Sequence, residues 1–519
     1  MGATLPREHR APVSSTRASS RTSRKAAGWE GGEPGGFLAL MSPYQPRFSW
    51  LRPSVLWRSR NDVLIRRFGD QTDEERKRWV KQRLAEGAPA DFRIDRTDLA
   101  EPKLIVLGDP GEGDASQFAV VPGLLREGGD TDLMVICSDV IYPCGDADEY
   151  EDKFYWPYKD YPAPIYALPG NHDWYDGLAG FMLNFCGSRA ERRDHVKLLD
   201  VSRWRNRLRH LLWRRPGHNR LGSLALLRGQ TLRSQPGQTP DHEHRQPGPY
   251  WAMETGPVVL VSIDTGIRGA VDDDQLRWLR EISASSPKPK ILLTGKPLIV
   301  NGKPAGEREY FEALDAIVRD PAHRYIAAIG GDTHNYQRYP VKLTDGRTIQ
   351  YIVSGAGGAY TKATHLIPIA ELEGCNEVDC RLYPRRGDSL SLYSGLYDRR
   401  LAFGSGLLRL DPDQAARLVS ERLEGDSAPV RAAGIDRISL RERIAAKVVY
   451  PLPTRLGFQR YLSEFFDWDE PPFFKSFLRL DITHDVLRIR CFAATGWREQ
   501  EEEPPLEDDL TVPLNGAGA

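Results

Sequence analysis

Four short motifs supply hard oxygen and imidazole groups in chain order. They are Asp109 in GDPG, Asp139 and Tyr142 in SDVIY, Asn171, His172 and Asp173 in GNHD, and Asp332 and His334 in GGDTH. Carboxylate, phenol, amide oxygen and imidazole are ligands for hard or borderline cations. An imidazole also exchanges protons near neutral pH. One Asp at the end of an apolar run is more often a turn or cap residue than a ligand. Four such turns in one order make coincidence a poor explanation.

Each motif ends an apolar run of β type: KLIVLGD (103–109), LMVICSD (133–139), PIYALPGNHD (164–173) and YIAAIGGDTH (325–334). Three further runs share the form: VVLVSIDTG (258–266), KILLTGKP (290–297) and IQYIVSGAGG (349–358). Helical periodicity lies between or before them, at 274–282, at 307–319 and in the charged segment 73–85, whose acids precede its bases as the helix dipole prefers. Strands alternating with helices predict an α/β domain with its polar turns gathered along one sheet edge. No repeat of solenoid or propeller length is visible.

Two regions break the rhythm. Residues 186–247 read as an insertion containing Arg203, Arg205, Arg207, Arg209, Arg214 and Arg215. These charges could steer a polyanionic substrate at the rim; equally, Trp204, Leu208 and Leu212 at helical spacing could simply pack on the domain. Beyond residue 365 the pattern weakens until 477–496, which alternates like a β-hairpin and precedes an acidic stretch, EQEEEPPLEDD, expected to be a solvated tail. The expected organisation is a disordered or extended segment over 1–70, a helix within 71–100, a catalytic core over 101–365 and a C-terminal extension over 366–519 whose strands complete the core.

The 519 residues suffice for a large core, and the net charge of -1 offers no global attraction to nucleic acid or anionic membrane. No base-reading module is evident, so nucleic acid ranks low as an expected partner. Six cysteines in unrelated contexts, with no CxxC pair, argue against a zinc ribbon or disulfide framework. Cys375 and Cys380 could bridge, but free thiols are expected. No run approaches the roughly 18 apolar residues of a membrane-spanning helix. The Arg/Ser-rich N-terminus lacks the apolar core of a secretory signal. A disordered tail, or a start at Met41, accounts for it better than an organelle transit peptide, and a cytoplasmic protein is expected.

The motif series resembles the calcineurin-like metallophosphoesterase superfamily, and within it the purple acid phosphatase branch. The resemblance covers about residues 103–360 and is most specific at PGNHDWYDG. It implies a four-layer α/β/β/α sandwich. It also implies a first metal site of Asp109, Asp139, Tyr142 and His334, with Asp139 bridging to a second site that begins with Asn171. Two cations lower the pKa of a bound water and neutralise phosphoryl charge. In this reading His172 faces the substrate and protonates the leaving alkoxide or stabilises the transition state, with Asp173 fixing its tautomer. Ser138 stands where the family has the Gly of GDxxY. SGAGG (354–358) and the helix carrying Asp272, Gln275, Trp278 and Leu279 match structural family features.

The second site departs from the family. LLTGKP places Gly295 and Lys296 where a metal-binding His is expected, and GGDTH places Asp332 where the first His of GHxH stands. Three consequences are open: Asp332 binds a harder metal such as Mn or Mg; Lys296 stands where the second cation would be; or catalysis is lost. The leading expectation is hydrolysis of a phosphomonoester or related phosphoester, with one or two Fe, Mn, Zn or Mg ions. The alternative is an inert phospholigand-binding or interaction protein on the same fold.

Overall fold

The computed structural model describes residues 29, 32–41, 48–190, 204–213, 221–233, 246–269, 271–305, 308–423, 438–452 and 470–515. Two large sheets face each other. One runs, edge to edge, Leu506–Pro513, Val486–Ala494, Lys475–Ile482, Lys103–Gly108, Leu133–Cys137, Ile165–Leu168. The other runs Arg93–Arg96, Trp251–Thr255, Val259–Ile263, Lys290–Thr294, Tyr325–Gly330, Thr348–Ser354, Tyr336–Lys342, Arg381–Tyr383. Lys103–Gly108, Leu133–Cys137 and Ile165–Leu168 are parallel. So are Val259–Ile263, Lys290–Thr294, Tyr325–Gly330 and Thr348–Ser354. Parallel strands bring their C-terminal ends to one edge, and those ends carry the motifs.

Side-chain alternation explains the layers, because successive residues of a strand point to opposite faces. Leu104, Val106, Leu133 and Val135 of the first sheet pack against Met253, Leu293, Ile329 and Ile352 of the second in one buried cluster between the sheets. Their neighbours Ile105, Leu107, Met134 and Ile136 face outward onto Phe118, Leu124 and Phe181. On the far side, Val261, Leu292 and Tyr351 face Leu276, Leu279 and Ile282 of the helix Asp273–Ala284 and Leu314 and Val318 of the helix Arg308–Arg319. The result is the expected four-layer α/β/β/α sandwich.

The hairpin expected at 477–496 is present as Lys475–Ile482 and Val486–Ala494, paired with each other and with Lys103–Gly108. Two expectations need correction. The stretch 53–68 is not extended: it forms the helices Pro53–Arg58 and Arg60–Phe68, and Trp50 is buried against Tyr142. The acidic stretch does not end as a solvated tail. Leu506–Pro513 is an edge strand, and its Asp508 is buried, accepting hydrogen bonds from Tyr336 Oη (2.8 Å) and Arg338 Nε (2.6 Å). Sequence charge alone cannot reveal that a carboxylate has a buried arginine opposite.

A helical unit also emerges in the C-terminal extension. The helices Arg386–Leu401, Pro412–Arg422 and Leu440–Val449 share a core of Leu390, Tyr397, Val419 and Val449. Cys375 and Cys380 are free, with sulfurs 3.5 Å apart. Within the insertion, Trp204 is 72% and Leu208 39% exposed, whereas Leu212 is half-buried and its carbonyl accepts Arg60 Nε at 2.7 Å, so only the C-terminal end of that face meets the domain. Arg203, Arg214 and Arg215 lie outside the described residues. Among the described residues no helix is long and apolar enough to cross a membrane.

Candidate active site

The turns after the parallel strands hold their ligand-type residues in strained backbone. Asp109, Ser138, Asp139 and Asp332 all have positive φ, at 55°, 78°, 21° and 62°. Such conformations cost of order 1–3 kcal/mol each outside glycine and persist where the surroundings over-determine them. Ser138 therefore sits in the backbone region for which glycine is the natural choice. Opposite it, Gly170 of GNHD is compelled by close approach: a Cβ there would lie 2.1 Å from Asp139 Oδ1.

Three of the candidate ligands converge. Tyr142 Oη lies 3.2 Å from Asp109 Oδ1 and 3.2 Å from His334 Nε2, and His334 Nε2 is 3.9 Å from Asp109 Oδ1. His334 Nδ1 donates to the Tyr360 carbonyl at 2.8 Å, which turns the Nε2 lone pair inward. Burial, then the charge of Lys362, pushes the His334 pKa well below its ordinary value, so the ring is neutral. Three lone-pair atoms thus share one phenolic proton, an acceptor excess that suits a cation.

The charges agree. Asp109 is fully buried, and burial together with the Asp139 and Asp332 carboxylates drives its carboxyl well above the usual range. Asp139 Oδ1 accepts the backbone N–H of His172 at 2.7 Å, which ties the SDVIY turn to the GNHD turn. Among the described residues no three His, Cys, Asp or Glu side chains already form a metal cage. The convergent set has two such groups, Asp109 and His334, completed by the Tyr142 phenol.

His172 is buried among aromatic rings, with centroids 4.5 Å from Tyr142, 4.8 Å from Tyr175 and 5.5 Å from Trp50. Its Nδ1 donates to the Pro143 carbonyl at 2.8 Å. That carbonyl, and not Asp173, sets the tautomer. Asp173 instead accepts the backbone N–H groups of Val140 and Gly170, each at 3.0 Å, and braces the two turns against one another. Asn171 is half-buried and donates its amide nitrogen to Tyr175 Oη at 2.9 Å, which turns its amide oxygen the other way.

Lys296 and Asp332 meet as an ion pair between Nζ and Oδ1, with side chains 24% and 26% exposed. Burial opposes the charges, but Asp332 holds the Lys296 pKa above its ordinary value, and Lys296 and Lys362 hold the Asp332 carboxyl below the usual range. The Asp332 backbone N–H donates to Asp109 Oδ2 at 2.8 Å, and its carbonyl accepts Lys362 Nζ at 2.7 Å.

Sequence reasoning missed Lys362 and the N-terminal wall. Lys362 lies four residues beyond SGAGG, whose turn closes on the same edge, and that placement was the available signal. Trp50 donates Nε1 to the buried Glu112 at 3.0 Å and stacks edge-on against Tyr142 at 5.9 Å. It comes from a segment that carries no ligand motif.

Residues 102–336 match the family model of the calcineurin-like phosphoesterases. No curated protein matches the sequence. Among solved structures, the chain is similar to a purple acid phosphatase isolated from yellow lupin (Lupinus luteus) seeds, at 11% identity and TM-score 0.38, over 80% of this chain and 55% of that one. The chain thus spans about half the length of the lupin enzyme. It is also similar to a structure of PhoD (11% identity, TM-score 0.33, 80% of this chain and 69% of that one). A dimetal phosphatase from Danio rerio aligns at 13% identity and TM-score 0.29, over 50% of this chain and 90% of that one.

Proposed function

We propose that this chain is a metal-dependent phosphoesterase that hydrolyses a phosphomonoester or related small phosphoester at the edge where the strand-end turns meet, a reading supported by the match of residues 102–336 to the calcineurin-like phosphoesterase model. The observation that carries this reading is the acceptor excess at Asp109, Tyr142 and His334. Those three residues, with Asp139, would hold the cation. An oxygen-rich set with one imidazole suits Mn or Fe. A cation held there supplies Lewis acidity toward a phosphoryl oxygen and lowers the pKa of a bound water.

The chain's own groups do the rest. The Tyr360 carbonyl orients His334, burial and Lys362 keep it neutral, and Asp173 fixes the distance between the SDVIY and GNHD turns. With Nδ1 committed to the Pro143 carbonyl, proton exchange between His172 and the leaving oxygen runs through Nε2. The surrounding Trp50, Tyr142 and Tyr175 rings exclude water from that imidazole.

The test is metal content by mass spectrometry together with hydrolysis of an aryl phosphate with and without Mn. Metal-stimulated turnover, lost in His334→Ala, is expected. A wild-type chain that neither retains metal nor shows stimulated hydrolysis would overturn the reading and leave the inert phospholigand binder.

A further inference from the structure

We propose that the place of a second cation is taken by the Lys296 ammonium, so that each chain binds one metal ion and meets the phosphoryl group with an ammonium as the second positive charge. This rests on the phosphoesterase reading above. The residues present do not fit a second metal. The positions where the family pattern puts imidazoles are Gly295 and Asp332, and the Asp332 carboxylate is already paired with the Lys296 ammonium rather than open to a metal.

The arrangement is built rather than incidental. The Lys296 backbone N–H donates to Thr265 Oγ1 at 2.8 Å, which pins the turn that presents the side chain. Asp332 is fixed on three sides: its N–H is on Asp109, its carbonyl is on Lys362, and its carboxylate is on Lys296. Gly295 has no room to become a ligand, since a Cβ there would meet the Pro169 carbonyl oxygen and Thr265 Oγ1, each at 2.8 Å. Lys296 also acts electrostatically on Asp139 and Asp109, so its charge reaches the carboxylates of the first site.

The test uses the full chain, loaded with Mn and dialysed. Metal is counted by mass spectrometry, and inorganic phosphate affinity is measured by calorimetry. Wild type should hold one metal per chain. Lys296→Met should still hold one and bind phosphate about tenfold to a hundredfold more weakly, the range for one charged hydrogen bond. Lys296→Arg, which keeps the charge, should retain most of the affinity. Two metals in the wild type, or unchanged phosphate affinity in a folded Lys296→Met, would overturn the inference while leaving the phosphoesterase reading intact. No metal in the wild type would overturn that reading, and the inference with it. Should Lys296→Met fail to fold, the wild-type metal count decides.

Discussion

Arg76→Met tests whether the GNHD turn is held from behind. Arg76 is 1% exposed and comes from the helix Thr72–Ala85. Its Nε donates to Asp264 Oδ2 at 2.7 Å and its Nη1 to Asp272 Oδ2 at 2.7 Å. Asp264 also accepts Trp174 Nε1 at 3.0 Å, and Trp174 directly follows GNHD. Asp272 caps the helix Asp273–Ala284 through the N–H groups of Asp274 and Gln275. One guanidinium therefore ties two helices, a strand end and the active-site turn. Burial opposes its charge, yet Asp264 and Asp272 raise its pKa above the ordinary value, so it stays charged. Methionine keeps most of the stem and removes the charge, leaving two buried carboxylates facing each other. Breaking a buried pair from one side costs about 3–5 kcal/mol, and the exposed Asp73 contact adds little. At about 2 °C per kcal/mol for a large chain, the melting temperature should fall by about 6–10 °C. Carboxylates left unpaired in the folded variant favour their protonated form. The deficit is therefore complete at neutral pH and shrinks as pH falls toward about 4. Calorimetric melts across that range are the assay, with turnover measured in parallel, since a loosened Trp174 should also lower activity. A loss under about 2 °C, or one that is the same at every pH, would refute the argument.

The remaining predictions concern the site. His172→Ala should lower turnover by about 10²–10⁴ without releasing metal, with aryl phosphates less affected than alkyl phosphates; equal losses would make His172 a positioning residue. Asp109→Asn and Asp139→Asn should cost similar amounts of metal affinity if one cation is bound, measured by competitive chelation. A far larger loss for Asp139 would indicate a carboxylate shared by two ions.

The strands, the order of their motifs and the edge on which chemistry gathers can be read from the residues alone. Those features are written locally: an apolar run buries itself, a Gly-Asp turn ends it, and parallel neighbours align their ends. Asp109, Tyr142 and His334 were legible for that reason; the first two come from turns of one sheet and His334 from a turn of the other, so their convergence depends on the sheets meeting at that edge, where the Gly357 N–H donates to the Gly108 carbonyl at 2.8 Å. The partner of each charge was decided only by the tertiary structure. The motif pattern left open whether Lys296 or a metal pairs with Asp332, because the two lie 36 residues apart, in the turns that follow different strands of one sheet. The tautomer of His172 belonged to a carbonyl, which has no identity in sequence, and Asp173 went to backbone N–H groups for the same reason. Lys362 and Trp50 reach the site from segments without a ligand motif, and Asp508 became a buried acceptor only because Arg338 stands across from it. Local residue pattern sets which backbone forms a turn, whereas electrostatic neutralisation depends on distance in space, and only the packed sheets fix that distance.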